Sequence, residues 1–234
     1  MRNYLFIVAS IVLFTACNGM RRGSGNIVSE KRNTGVFSEI KASNSVEVDV
    51  QQGTETSVVV EADDNIIKFI ETDVENGVLK IKLKNNHGIS NATTKVHVTS
   101  SVYSGFSASS SSSITSKNII ANSTKINLKA SSSSNIEIEL DAPFVDIGAS
   151  SSANITASGK AKNVKIDASS SSKIIANGLK AEIVDAKASS SSDIHLFASV
   201  SLKAKASSSA EIFYTGGVTM VDKSENSSGT VSKQ

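Results

Sequence analysis

The sequence predicts an all-β fold, a right-handed parallel β-helix (solenoid) of coils about 19–20 residues long, with an irregular β-rich cap at its N-terminal end. Three observations predict it. The tetrapeptide Ala-Ser-Ser-Ser recurs at Ala108, Ala130, Ala149, Ala168, Ala188 and Ala206, at intervals of 18 to 22 residues. Apolar residues hold fixed even offsets from each alanine: Ile126, Val145, Val164, Val184 and Leu202 lie four before it, and Leu128, Ile147, Ile166, Ala186 and Ala204 two before it; Ile114, Ile136, Ile155, Ile174, Ile194 and Ile212 lie six after it. Even offsets share one face of a strand, and a disordered serine tract has no reason to keep that phase. Finally, each period runs on without the reversals that hairpins need, so like offsets stack at ~4.8 Å, as coils of a β-helix do. Right-handedness follows from the general rule for parallel crossovers.

Residues 1–16 read as an export signal rather than as part of the fold. Arg2 precedes an apolar run from Leu5 to Phe14, too short to cross a bilayer as a helix. The run ends in Phe14-Thr15-Ala16-Cys17, which resembles the bacterial lipobox, although leucine is more usual where Phe14 stands. Cys17 is the only cysteine, so it has no internal disulfide partner. The expectation is a lipidated Cys17 with residues 17–24 as a polar tether; an ordinary signal peptide with an incidental cysteine is the alternative.

Residues 25–100 have strand character without the serine repeat. Val46, Val48 and Val50 alternate with Glu47 and Asp49; Leu79, Ile81 and Leu83 alternate with lysines; Val96 and Val98 flank His97. Asp63-Asp64-Asn65 ahead of Ile66 to Ile70 offers an N-cap for a short helical turn. The stretch Ile40 to Val46 reads as a coil with two residues deleted, which makes 25–100 the irregular first part of the same stack, closing an end that would otherwise be an open sheet edge. Residues 101–217 form the serine-rich coils, and 218–234 supply a last capping strand and a frayed tail.

Continuing the two-residue alternation through the serines turns Ser110, Ser132, Ser151, Ser170, Ser190 and Ser208 inward, where each hydroxyl needs a backbone or ladder partner. It turns the serines one and three residues after each alanine outward. These are Ser109 and Ser111, Ser131 and Ser133, Ser150 and Ser152, Ser169 and Ser171, Ser189 and Ser191, and Ser207 and Ser209. Stacked in register they make a two-by-six grid of hydroxyls, the candidate binding face for a glycan, another envelope surface or a second copy of the chain. The competing reading is that serine suits a tight corner and was duplicated with the repeat.

Nothing else in the chain composes a catalytic, metal or cofactor site. Net charge is +2, with 24 basic against 22 acidic residues, and the lysines are spread singly over the coils, so nucleic acid is not an expected partner. His87, His97 and His195 are far apart in sequence. Ser170-Ser171-Ser172-Lys173 matches a Ser-x-x-Lys pattern that belongs at a helix start, not in a serine tract. Gly23-Ser24-Gly25 lacks the strand-to-helix context of a dinucleotide loop. Glu71, Asp73 and Glu75 lack calcium-loop spacing and suit a solvated strand face. The expectation is a protein that is not an enzyme and carries no cofactor or metal.

Gly23-Ser24-Gly25-Asn26-Ile27, Phe37 with Ile40, Val46 to Val50, the Gln52-Gly53 turn, Val58 to Asp64, and Asn76 to Ile81, together with the later serine-rich coils, resemble the putative auto-transporter adhesin, head GIN domain family of bacterial envelope proteins. The resemblance implies a right-handed β-helix on a signal peptide or lipoprotein anchor, in the envelope of Bacteroides-like bacteria, and brings no catalytic residues. Three function classes stay open. They are an adhesin or glycan-binding module, a periplasmic structural or self-associating protein, and a carbohydrate-active enzyme, the first preferred. The expected partners are a membrane through the lipid anchor, a glycan or an envelope or host surface, or a second copy in a homo-oligomer. Asn18 to Arg22 lack the acidic run that resembles a surface-export signal, so the face of the outer membrane is left open.

Overall fold

The computed structural model describes residues 20–84 and 88–234; the expected signal segment, Cys17 and His87 lie outside the described residues. The serine-rich part is a stack of parallel coils. Strands Asn135–Ala149, Asn154–Ala168, Lys173–Ala188 and Asp193–Ser207 pair in order, with Ile136 beside Ile155, Ile174 and Ile194 in turn. Every apolar column anticipated from the repeat is buried, including Ile126 to Leu202, Leu128 to Ala204 and Ile114 to Ile212. Each buried isoleucine, valine or leucine contributes about 1.5–3 kcal/mol over its exposed state, which is how so thin a cross-section holds together.

The coils differ by up to four residues in length, and the ladder absorbs this between the strand that follows one corner and the strand that leads to the next. Register shifts fall between Thr156 and Ser158, and between Ala176 and Ile183. From Val164 through Ala168, and at the same positions in neighbouring coils, pairing is unbroken up to the alanine. The strands on either side of the serine corner therefore both keep strict order.

The corner itself departs from the alternation. The second and third residues after each alanine, Ser110 and Ser111 through Ser208 and Ser209, have φ between 51° and 61°, in the left-handed region. Two successive left-handed residues turn the chain, so Ser110, Ser132, Ser151, Ser170, Ser190 and Ser208 are exposed rather than inward. The buried corner residue is the fourth: Ser112, Ser134, Ala153, Ser172, Ser192 or Ala210. Ser134 shows why serine fits there, since its Oγ accepts from the Ser131 N–H and donates to the Ala108 carbonyl at 2.8 Å. Ser112, Ser172 and Ser192 repeat the pattern against Ala42, Ala149 and Ala168. Between coils, the N–H of each third residue donates to the carbonyl of the second residue above, as Ser133 does to Ser151 at 3.0 Å. This backbone ladder offsets left-handed strain of about 1–2 kcal/mol per residue.

The corner continues past the serine repeat at both ends, as Asn44–Ser45 and Ser227–Ser228. Ala42 pairs with Ala108 and Val48 with Ile114, so the coil around Ile40 to Val46 has lost no residues. Sequence order and spatial order differ here. Strand Glu39–Ser43 lies between Val78–Leu83 and Gly105–Ala108, and Glu47–Gln52 between Thr94–Ser100 and Ser113–Ser116. The chain lays down its second rung first, crosses the open end, returns as the outermost rung, and then steps over to the third. The crossing is antiparallel. Ser57–Asp63 pairs with Thr94–Ser100 and with Ile27–Arg32, and Ile70–Glu75 with Val78–Leu83 around the Asn76-Gly77 turn, where both residues have positive φ. The anticipated short turn is a 3-10 helix over Ile67–Phe69, with no side-chain cap.

Single polar side chains fix this end. Asp63, 2% exposed, accepts from the N–H groups of Gly25 at 2.6 Å and Thr93 at 2.7 Å. Asp64 accepts from Ser24 Oγ and Asn26 Nδ2, contacts that hold its carboxyl below the usual range. Tyr103, fully buried in the step-over, has its hydroxyl 3.1 Å from the carbonyl oxygens of Gln51 and Val98. Burial pushes that phenol well above its ordinary pKa.

At the other end, residues 218–234 carry two strands, Met220–Asn226 and Thr230–Lys233, where one strand and a frayed tail were expected. Lys223 and Glu225 occupy the ladder positions of Ala204 and Ala206, which are buried in the coil before. Lys223 Nζ donates to the Val231 carbonyl, and Glu225 accepts from the Val231 N–H. Charges on core positions make this rung a poor template for another sheet.

Candidate functional site

The serines expected to form a flat grid instead flank a corner. Ser111, Ser133, Ser152, Ser171, Ser191 and Ser209 stand exposed on the left-handed turn, while Ser109, Ser131, Ser150, Ser169, Ser189 and Ser207 are half-buried at the strand ends. Their backbone N–H groups serve the coil ladder, but among the described residues no protein hydrogen bond engages the Oγ atoms of this second set. Those hydroxyls line one wall of a groove of about 960 Å³.

The other wall is formed by the residues just before each alanine. From the capped end these are Lys41, Ser107, Lys129, Gly148, Asp167, Lys187 and Lys205, held in column by pairings such as Ser107 with Lys41 and Lys129, and Asp167 with Gly148 and Lys187. Six rungs separate Lys41 from Lys205, about 29 Å at ~4.8 Å per rung. The floor is the row of alanines, and a Cβ built on Gly148 would meet nothing within 4 Å, so the groove is widest there. Asp167 is paired with Lys165 at 3.1 Å, whereas Lys41, Lys129, Lys187 and Lys205 enter no ion pair among the described residues. The hydrogen bond from Lys165 to Asp167 raises that lysine's pKa above its ordinary value.

Farther along the same sheet face lies a shallower dent of about 240 Å³, where Phe144 and Ile183 flank the shorter Asn163 beside Asp146, Lys165 and Asp185. Phe144 is 52% exposed, an open ring on the same ladder column as the exposed Ile183.

The remaining candidates do not converge. His97 lies between Asp49 and Glu61 on the cap, and His195 stacks on Phe213 beside Asp193, many coils away. Ser170 and Ser171 form a corner and Ser172 Oγ is spent on the Ala149 carbonyl, while Lys173 pairs with Asp193, so the Ser-x-x-Lys pattern has no helix and no free lysine. Glu71 and Glu75 pair across the hairpin with Lys82 and Lys80, and the lysine holds the Glu75 carboxyl below its usual range. No group of three metal-ligating side chains occurs among the described residues, and no helix there is long and apolar enough to cross a membrane.

Sequence reasoning missed the lysine column. Lys129, Lys187 and Lys205 share the offset one before the alanine, a signal present in the repeat, but Lys41 joins them only because its coil is inserted beneath Ser107.

Comparison with known proteins gives the same architecture. A putative adhesin from Bacteroides fragilis superposes with a TM-score of 0.85 at 20% identity, covering 91% of this chain and 99% of that one. A putative lipid binding protein from Parabacteroides distasonis gives 0.76 at 22% identity, covering 92% and 100%. A putative adhesin from Parabacteroides merdae gives 0.70 at 18%, covering 91% and 98%. Similarities at this level of identity establish the fold. No curated protein matches the sequence. The sequence profile of one family matches residues 36–217, from the step before the first corner to the last serine-rich coil. The chain thus belongs to the putative auto-transporter adhesin, head GIN domain family.

Proposed function

We propose that this is a lipid-anchored protein of the bacterial cell envelope whose β-helical head acts as an adhesin-type module, holding an extended ligand in its longitudinal groove without turning it over. The groove itself is the observation that carries this reading. It follows a part of the coil where register does not slip, and it presents hydroxyls and ammonium groups with no hydrogen-bond or ion-pair partner among the described residues. Family membership and the adhesin names of the structural neighbours support the same class. An anchor at Cys17 lies three residues before Met20, whose neighbours Arg21–Arg22 pair with Ile89–Ser90. Lipid there would hold the cap end at the membrane and leave the stack projecting from it.

Proteinase shaving of intact cells carrying a C-terminally tagged protein tests the reading, with lysed cells as the control for intrinsic resistance. Surface display predicts loss of the tag from intact cells, and palmitate labelling predicts a lipid that disappears in Cys17→Ala. Protection in intact cells with digestion after lysis would replace the adhesin with a periplasmic, self-associating role.

A further inference from the structure

The lining of the groove narrows its ligand to one chemistry. We propose that it takes a single extended chain of an acidic polysaccharide, with anionic groups on Lys41, Lys129, Lys187 and Lys205 and sugar hydroxyls on the serine wall; this rests on the groove being the binding surface. Charge comes first: four lysines without an ion-pair partner face the groove against one carboxylate, Asp167, which Lys165 already engages. The neighbouring outward column carries Glu39, Asp146 and Asp185 as well as Lys165 and Lys203, so the positive excess of the groove does not extend to the column beside it. Width comes second. The two walls stand two residues apart along the strand, ~6.6 Å, which admits one polymer strand and not a duplex.

Composition decides the rest. Among the described residues no aromatic ring lines the groove, so neither base stacking nor a ring platform for a neutral sugar is available. Recognition must then use charge and hydroxyl hydrogen bonds together, which a linear glycan bearing carboxylates or sulfates supplies along its length. Steps of two, three and one rungs separate Lys41, Lys129, Lys187 and Lys205, about 10, 14 and 5 Å. Anionic groups at wide or uneven intervals can be matched, whereas a neutral chain would leave all four ammonium groups idle.

The test is equilibrium binding of the full chain in detergent to polygalacturonate, chondroitin sulfate and dextran of matched length, with anionic vesicles and single-stranded DNA as competitors. Wild type is expected to bind an acidic polymer and not dextran, more weakly as salt shortens the Debye length. The Lys129→Gln, Lys187→Gln, Lys205→Gln triple variant should lose roughly ten- to a hundredfold in affinity, the sum of three exposed charge contacts. Gly148→Trp, built from a Cβ that meets nothing within 4 Å, puts an indole at the open centre of the groove and should abolish binding. Unchanged affinity in the triple variant, equal binding of dextran, preference for vesicles or DNA, or no binding of either acidic polymer overturns the acidic-glycan assignment. Full binding by Gly148→Trp overturns instead the reading of the groove as the site.

Discussion

The serine-rich stack and the N-terminal end solve the same problem in opposite ways. In the stack, each coil repeats its neighbour's core, and Ile136, Ile155, Ile174, Ile194 and Ile212 sit one above another with the same side chain on every rung. Stability there is a sum of near-identical interfaces. At the N-terminal end the strands run in both directions and out of sequence order, and the arrangement is specified by individual groups: Asp63 beneath Gly25 and Thr93, Asp64 on Ser24 and Asn26, Tyr103 in the step-over. Repetition spreads specificity over many weak choices, and a cap concentrates it in a few strong ones. Substitutions should therefore hurt more at the cap than at the serine corners.

Asp63→Ala should show the largest effect. It strips a buried carboxylate from two backbone donors, at about 1.5–3 kcal/mol for each hydrogen bond to a charged group, so a loss of about 3 kcal/mol or more is expected. Urea denaturation followed by circular dichroism measures it. A loss below about 1 kcal/mol would mean that the clasp of residues 23–26 on 63–65 is incidental to the fold.

How much of this was legible in the sequence follows the same division. The columns of Ile126, Leu128 and Ile114 could be read because burial on one face leaves a period of two in every coil. The serine corner was misread at Ser110 and its equivalents because serine carries no mark of left-handed backbone, as glycine or asparagine would. Parity hid the error, since the buried fourth residue and the isoleucine at six keep the even phase whichever way the second points. The step-over was illegible because only the pairing of Glu39–Ser43 with both Val78–Leu83 and Gly105–Ala108 reveals it, and no local pattern encodes which rung lies outermost. The lysine wall was half legible, needing that order to bring in Lys41.

Tyr103→Phe sharpens the comparison at intermediate size. The ring stays against Phe106, 5.2 Å between centroids, while the carbonyls of Gln51 and the buried Val98 lose a hydroxyl, for a cost of about 1 kcal/mol. A thermal melt resolves a change of this size. If the melting temperature does not move, the step-over is held by ring packing, and its polar contact is dispensable.

The smallest effect belongs to a glycine at the corner, and its sign is the informative part. Ser171 has φ of 57°, and its N–H donates to the Ser190 carbonyl at 3.0 Å, so its backbone is needed and its side chain is not. Ser171→Gly relieves left-handed strain of about 1–2 kcal/mol and restores freedom to the unfolded chain worth about 0.5–1 kcal/mol, leaving a net gain of about 0.5–1 kcal/mol. Ser171→Val keeps the ladder but forces a β-branched side chain into the same conformation, with an expected loss of about 1–2 kcal/mol. Chemical denaturation of the two variants should bracket the wild type. If Ser171→Gly were destabilising instead, the exposed hydroxyls of the corner would be contributing to the fold, and the division between a purely geometric turn and a chemically equipped groove wall beside it would fail.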